Sequence, residues 1–423
     1  MKYIVKIVLF LFVANASAQA DYSSNWKDLY SYNNIVAFTK ASNVIYAITE
    51  NALFTYDVET DVVKKLSSVN GLSGGITSAI YYNEALEVLV IAYNDGLLEI
   101  IDKTGKIKKV VDISLSDISD KKTINAIYGY DNKLYLSMGF GIVVYDLINF
   151  EFNDTYFIGE NSTDVNVTDI LIYSDDIFAT TDGGIYIASM ADNLADYKNW
   201  DKNFSGEFST IVNFGNQVIA AQENILYSVL NNSVLELKVT LPDNVVSTSS
   251  YDDKFAATTS ERAFLYDANF DLIEDSTPPS SSITAIELYQ NSLFLGSLTK
   301  GILRGTFLIP NEFAEIHPDG PSSNELFSFT VNGSDVWILY GALEGVNNMP
   351  LGRMKGVSHF VGGNWVNIPY ASSDGVNYAK DLVHLTVDPE NSNKVYISSH
   401  AGTYGAIDST DGGGVLVLEN NEF

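Results

Sequence analysis

Carboxylates are the most abundant residues in this chain whose chemistry could support catalysis. The 53 Asp and Glu residues far outnumber the 24 Lys and Arg residues, and the formal net charge is −29. In so acidic a chain, two carboxylates lie close together by chance, so a pair of them is weak evidence for acid–base catalysis. The carboxylates therefore do not predict an enzyme.

The chain has few other groups that could form a reactive or metal-binding site. DSTDGGG (408–414) resembles a calcium-binding loop but lacks the acidic residue at the loop's end, and GLSGG (71–75) lacks the lysine of a phosphate-binding loop. The histidines show no His-x-x-x-His pair, which is the usual zinc spacing. All four lie in the last quarter of the chain, at His317, His359, His384 and His400. We therefore predict no metal, no cofactor and no catalytic residue.

Charge and cysteine content exclude several classes of protein. A chain this acidic lacks the basic surface that nucleic acids require, and an anionic lipid surface would repel it. The absence of cysteine excludes thiol catalysis, disulfides and a lipoprotein anchor.

The first 20 residues, MKYIVKIVLFLFVANASAQA, have the pattern of a cleavable secretory signal. Lys2 and Lys6 flank a short apolar run, and small residues at 16–18 or 18–20 offer a cleavage site. The apolar run is too short to span a membrane. We therefore expect an exported mature chain with no membrane span.

Composition and internal repeats predict an all-β fold. Tyr and Phe together number 48, and this richness in aromatic residues favours strands. Seven segments each run from an alternating strand through a short turn into a second strand that often ends in Tyr-Asp. The apolar residue after each turn recurs about every 38 to 45 residues, at Leu53, Leu97, Ile142, Ile185, Ile225, Ala263 and Ile302. This is the period of a four-stranded antiparallel propeller blade.

The repeats define the domains that we expect. Residues 21–316 should form a seven-bladed β-propeller, because a closed ring lets each blade bury both faces against its neighbours. We expect Trp26 and Tyr30 to lie on an N-terminal outer strand that completes the last blade. Residues 317–423 hold about two more blades, so we predict the start of a second, incomplete propeller there.

The turns between the second and third strands of the seven units should lie on one face of the disc. Gly139-Phe140-Gly141 is predicted to be such a turn, and its functional interpretation is that Phe140, at a loop tip, contacts a sugar or a partner. The other turns are mainly acidic and disfavour an anionic ligand, which we place near Lys300 and Arg304 instead. The structural alternative is a solvated charged rim.

Several stretches carry a resemblance to the PorZ family of type IX secretion surface proteins in Bacteroidetes. The most specific is residues 123–159, TINAIYGYDNKLYLSMGFGIVVYDLINFEFNDTYFIG. SYNNI (31–35), FTYD (54–57), SVNGLS (68–73) and the run from GPSSN to LYG (320–341) also match, so the resemblance covers nearly all of residues 22–423.

The resemblance implies two propellers and a non-enzymatic role in the cell-surface attachment complex. Implied partners are the sortase PorU, the proteins PorV and PorQ, and anionic lipopolysaccharide onto which cargo is transferred. The implied location is the periplasm and then the outer cell surface. Two alternatives stay open: a sensor propeller of a two-component regulator, and a propeller enzyme acting on polysaccharide.

Overall fold

The computed structural model describes residues 27–230, 233–280, 282–307, 309–341, 343, 351–369, 380–400 and 414–423. The predicted signal peptide, Trp26 and most of the DSTDGGG stretch lie outside the described residues. In the described part the fold is all-β, as the composition predicted. Helix there is limited to α1 (Asp112–Leu115) and to short 3-10 turns at Ser68–Asn70, Glu160–Ser162 and Tyr197–Asn199.

Seven four-stranded antiparallel sheets follow one another along residues 35–316, and each is built from four consecutive strands. Blades one to three contain β1 (Ile35–Ala41), β2 (Val44–Thr49), β3 (Leu53–Asp57), β4 (Val63–Leu66), β5 (Thr77–Asn83), β6 (Val88–Tyr93), β7 (Leu98–Ile101), β8 (Ile107–Val110), β9 (Ile124–Tyr130), β10 (Lys133–Met138), β11 (Gly141–Asp146) and β12 (Glu151–Tyr156).

Blades four to seven repeat the arrangement. They contain β13 (Val167–Tyr173), β14 (Asp176–Thr181), β15 (Gly184–Ser189), β16 (Asp201–Ser205), β17 (Thr210–Phe214), β18 (Gln217–Gln222), β19 (Ile225–Leu230), β20 (Val234–Thr240), β21 (Ser247–Tyr251), β22 (Lys254–Thr258), β23 (Ala263–Tyr266), β24 (Leu272–Ser276), β25 (Ile283–Tyr289), β26 (Ser292–Ser297), β27 (Ile302–Thr306) and β28 (Ile309–Ile316).

The seven sheets form a closed ring. The first strand of each blade contacts the first strand of the next, and β25 of blade seven contacts β1 of blade one. A central strand is therefore covered on both faces, which explains why all six residues of β6, VLVIAY, are buried. The predicted seven-bladed propeller is confirmed.

Ring closure differs from our expectation in one respect. Blade seven obtains all four of its strands, β25 to β28, from residues 283–316, and the described N-terminal residues 27–34 contribute no strand to it. Tyr30 lies in irregular structure outside any strand. The expectation of an N-terminal outer strand is wrong for Tyr30, because residues 309–316 already fill that position.

Polar contacts join blade seven to blade one where the ring closes. Lys40 Nζ lies 2.8 Å from Glu287 Oε1, and the Thr284 hydroxyl donates to the Ile35 carbonyl at 2.8 Å. Burial raises the pKa of Glu287, and the Lys40 ammonium opposes that effect. Apolar residues of both blades, among them Phe54 and Phe294, pack beside these contacts. The two ends of the ring are thus held by side chains.

Bulges in the inner strands supply further contacts between blades. Asn125 and Thr168 occupy the bulged position in β9 and β13, where the pairing register shifts. The Asn125 amide donates to the Val167 carbonyl at 2.7 Å, and the Thr168 hydroxyl donates to the Phe208 carbonyl at 2.7 Å. A polar side chain at the bulge therefore satisfies a carbonyl of the following blade.

Two more sheets follow the ring. One contains β29 (Ser328–Asn332), β30 (Asp335–Leu339), β31 (Val357–Val361) and β32 (Asn364–Ile368), and the other contains β33 (Leu382–Val387), β34 (Lys394–Ser399) and β35 (Gly414–Glu419). They pack face to face through an apolar core that includes Trp337, Leu339 and Ile397. These sheets have the form of the two extra blades that we expected.

Candidate functional site

The turn between β10 and β11 has the predicted form. Met138 pairs with Gly141, which leaves Gly139 and Phe140 as the turn residues. Gly141 has φ of 146°, and a Cβ there would lie 2.2 Å from the Tyr156 carbonyl oxygen. This position therefore requires glycine, and the structural interpretation of the motif is confirmed.

The functional interpretation of Phe140 is wrong. Its side chain is fully buried, and its ring centroid lies 5.9 Å from that of Phe157. The segment between β8 and β9 covers the turn: Ile113 belongs to the same apolar core, and the Lys121 side chain lies against Gly139. Phe140 is thus a core residue that fixes this connection, and it is not exposed to a sugar or a partner.

Lys300 and Arg304 both lie in blade seven, far along the chain from Phe140, and each is ion-paired. The Lys300 ammonium pairs with Glu315 on β28. Arg304 donates to the Tyr56 hydroxyl at 2.6 Å and lies 3.4 Å from Asp61 Oδ1, both in blade one. Arg304 therefore contributes to ring closure. Binding of an anionic ligand at Lys300 and Arg304 stays a prediction.

The turn face, by which we mean the face carrying the turns between second and third strands, has the expected acidic rim. Asp95, Asp182, Glu223 and Glu261 are exposed at four of its turns. Arg262, next to Glu261, pairs with Asp275 on β24. The rim therefore presents mostly unneutralised carboxylates, which would repel an anionic ligand approaching this face.

A cleft of about 430 Å³ opens at the edge of the turn face, where blades seven and one meet the second unit (residues 320–423). Glu50 and Thr299 line it from the ring, and Lys355 lines it from the second unit. The Asn324 side chain bridges the two sides. Its Oδ1 accepts from the Ser31 backbone amide at 2.7 Å, and its Nδ2 donates to the Ser31 backbone carbonyl at 3.1 Å. The second unit thus docks through the GPSSN stretch.

Most charged groups of this cleft come from the second unit. Lys355 Nζ and Arg353 Nη1 each lie 2.7 Å from the same Glu325 oxygen. The hydrogen bond from Lys355 and the two positive charges lower the pKa of Glu325. Two cations share the Glu325 carboxylate here, and the Asp381 carboxylate accepts from the backbone amides of Gly352 and Arg353 beside them. This cluster was not predicted from the sequence, because the spacing of its three charged residues matches no binding motif.

Three carboxylates lie inside the ring, Glu99 fully buried and Asp169 and Glu287 half-buried, and each has a structural partner. Glu99 accepts from the Ser73 amide at 2.8 Å, and Glu287 pairs with Lys40. Asp169 accepts from the Ile211 amide at 3.1 Å, and burial raises its pKa to about 6. They lie on different blades, β7, β25 and β13, so they do not form a catalytic pair.

The histidines of the second unit do not converge. His359 stacks on Trp337 with ring centroids 3.4 Å apart, and its Nδ1 donates to the side-chain oxygen of Asn421 at 2.9 Å. Burial lowers the pKa of His359. Within the described ranges, no group of three His, Asp or Glu side chains is placed to hold a metal ion. No helix in that part of the chain is long and apolar enough to cross a bilayer.

Comparison with known proteins supports the resemblance that the sequence carries. Residues 45–201 match the family described as the PorZ N-terminal β-propeller domain of the type IX secretion system. The chain is also similar to the structure of PorZ, an essential surface component of the type IX secretion system of Porphyromonas gingivalis. That match has a TM-score of 0.76 at 18% identity and covers 94% of this chain and 52% of that chain. The resemblance to PorZ is confirmed, and the chain spans about half the length of that PorZ.

Two other solved structures share the fold at lower similarity. The extracellular domain of a hybrid two-component system from B. thetaiotaomicron has a TM-score of 0.53 at 16% identity, with 93% of this chain and 54% of that chain covered. The β-propeller domain of Cps50 (Swd1) from Myceliophteria thermophila has a TM-score of 0.53 at 12% identity, with 66% and 98% covered. Such identities show the fold alone. The comparison with curated proteins found no match.

Proposed function

We propose that this chain, which carries a PorZ-type N-terminal β-propeller domain, is a non-enzymatic component of the type IX cell-surface attachment complex. Its role is to help present anionic lipopolysaccharide to the sortase PorU, beside PorV and PorQ, for anchoring of cargo. The observation that carries the proposal is the family match over residues 45–201 together with the PorZ-like fold over 94% of the chain.

Support for a scaffold role comes from the carboxylates inside the ring. They are spread over separate blades and accept hydrogen bonds from the backbone or pair with lysine. A ring whose blades pack against one another exposes two broad faces, which suits the assembly of partners. We accordingly expect the mature chain to pass through the periplasm to the outer surface.

Deletion of the gene tests this proposal. We expect cargo proteins of the type IX pathway to lose their attachment to the cell surface, and we expect the wild-type gene in trans to restore it. The measurement is the amount of cargo in washed cells and in the medium. Cargo that stays attached in the deletion strain would refute the proposal.

The alternative is a sensor propeller, which the similarity to the two-component extracellular domain favours. That similarity is weaker, with a TM-score of 0.53 against 0.76 for PorZ. The same deletion strain separates the two functions. A sensor predicts altered transcription of its target genes with cargo attachment intact, whereas the attachment component predicts the loss of attached cargo.

A further inference from the structure

A groove of about 360 Å³ lies between blades one and two, a size within the range of small-ligand sites. It opens at the ends of the strands opposite to the turn face. We call it the tyrosine groove and define it by its central lining residues, Tyr46, Thr55, Lys64, Tyr82, Leu89, Ile101 and Lys103.

Strand register builds the two walls of the tyrosine groove. On blade one, Tyr46 pairs with Thr55, and Thr55 pairs with Lys64, so these three side chains form one row across β2, β3 and β4. On blade two, Tyr82 pairs with Leu89, and Leu89 pairs with Ile101. An aromatic and polar row thus faces an aromatic and apolar row.

Two tyrosines meet across the groove. The rings of Tyr46 and Tyr82 are stacked, with centroids 5.4 Å apart and an interplanar angle of 18°. Neither hydroxyl has a hydrogen-bond partner among the described residues, and burial raises the pKa of both. Both hydroxyls therefore stay protonated at physiological pH and are free to donate to a ligand.

Comparison of the seven blades shows that this opening is particular to blade one. Tyr46 is the third residue of β2, the second strand of blade one. Among the residues at the third position of the second strand in the seven blades, Tyr46 is the one that is half-buried. The equivalent residues of the other blades are buried against the next blade: Val90, Tyr135, Phe178, Ile219, Ala256 and Phe294. Elsewhere the space is filled by core packing, so the groove is a local departure from the repeat.

Acidic residues line the blade-two wall of the groove, at Glu87 and Asp102, whereas the charged residues of the blade-one wall are lysines and would favour an anionic group. Lys103 Nζ pairs with Glu87 at 2.8 Å, and Lys65 Nζ pairs with Asp28 at 2.6 Å. Lys64 is exposed and makes no ion pair within the described part of the chain. On a chain with net charge −29, an unpaired ammonium beside free hydroxyls is a local exception that would attract a carboxylate or a phosphate.

We propose that the tyrosine groove binds an acidic saccharide. The apolar face of a sugar ring lies against Leu89, Ile101 and the tyrosine edges, the sugar hydroxyls bond to the Tyr46, Tyr82 and Thr55 hydroxyls, and the acid group pairs with Lys64. The proposal deepens the proposed function and rests on it for the biological source of the saccharide, while the chemistry of the groove rests on the structure.

Titration calorimetry on the mature chain tests the site. The probes are trigalacturonic acid, which carries carboxylates, mannose 6-phosphate, which carries a phosphate, and maltotriose as a neutral trisaccharide. We expect at least one acidic probe to bind more tightly than maltotriose. Lys64→Glu should weaken that binding by about tenfold or more, because a charged hydrogen bond is replaced by repulsion. Tyr46→Phe should weaken it less, since only one hydroxyl is lost.

Lys108→Glu is the matched control. Lys108 is the second residue of β8, as Lys64 is of β4, and it is also exposed, so both variants change the net charge equally at equivalent positions. Lys108→Glu should bind like wild type, and thermal melts should show all variants folded. Equal binding by Lys64→Glu and wild type, or no binding of either acidic probe, would overturn the site. Neither result bears on the deletion assay, which tests the proposed function separately.

Discussion

Replacing Phe140 with alanine tests whether this side chain is part of the core or a contact surface. Phe140 is fully buried in the core that blades two and three share, and its ring lies near Phe157. Truncation of a buried phenylalanine removes its transfer free energy and leaves a cavity. We expect Phe140→Ala to lower the free energy of unfolding by about 3–5 kcal/mol.

The assay is urea unfolding followed by circular dichroism, with thermal melts as a second measurement. Phe150 offers a matched control in the same blade, because it is 44% exposed at the next turn and contacts the Lys108 ammonium at 3.8 Å from its ring centroid. Phe150→Ala should cost about 1 kcal/mol or less. If Phe140→Ala unfolds at the same urea concentration as wild type, the burial argument is refuted and the contact interpretation returns.

Three further predictions concern the ring. Lys40→Met should lower stability at pH 7 by about 2 kcal/mol, because it leaves the half-buried Glu287 carboxylate without its charged hydrogen-bond partner. The loss should be smaller at pH 5, because the raised pKa of Glu287 makes it more readily protonated there, and urea unfolding at both pH values measures the difference. Gly141→Ala should lower the free energy of unfolding by more than about 1 kcal/mol, because φ is positive there and the added Cβ would clash with backbone. Gly105 also has positive φ but lies in open space, so Gly105→Ala should lower it less. Thermal melts of both variants measure the difference. Asp169 has a pKa raised to about 6, so its contribution to stability is present below its unfolded pKa and is lost as pH rises through 6. The stability of wild type relative to Asp169→Asn should therefore fall between pH 4 and pH 7, and a flat difference would contradict the assignment.

The sequence predicted the ring because each blade repeats a local signal. Alternating apolar residues, a turn and a following apolar residue recur at Leu53, Ile142 and Ile302, and the structure places each at or near the start of a third strand. Each of these signals involves only residues that are close together in the chain, so the regular period of the sequence pattern is enough to reveal them. The outer strand 309–316 was harder to recognise, because its residues do not alternate between apolar and polar types and are mostly exposed.

The partners of individual side chains were not predictable in the same way. Arg304 contacts Tyr56 and Asp61, which lie 248 and 243 residues earlier in the chain, and nothing local in the sequence indicates that contact. The burial of Phe140 depends on Ile113, which belongs to the connection before its blade. Whether a turn residue is exposed thus depends on which neighbouring connection packs over it. The repeat pattern of the sequence contains no information about that packing.

The N-terminal segment shows how ring closure and domain docking are related. Because blade seven has four strands of its own, residues 27–34 are not used as a strand. Asp28 instead accepts from Lys65 at 2.6 Å and from the Ser67 hydroxyl at 2.8 Å, and Ser31 pairs with Asn324 of the second unit. The segment is thus held to blade one at Asp28 and to the second unit at Ser31. It follows that the ring and the second unit are coupled through the backbone of Ser31, so a change at Asn324 should loosen their docking while leaving the ring closed.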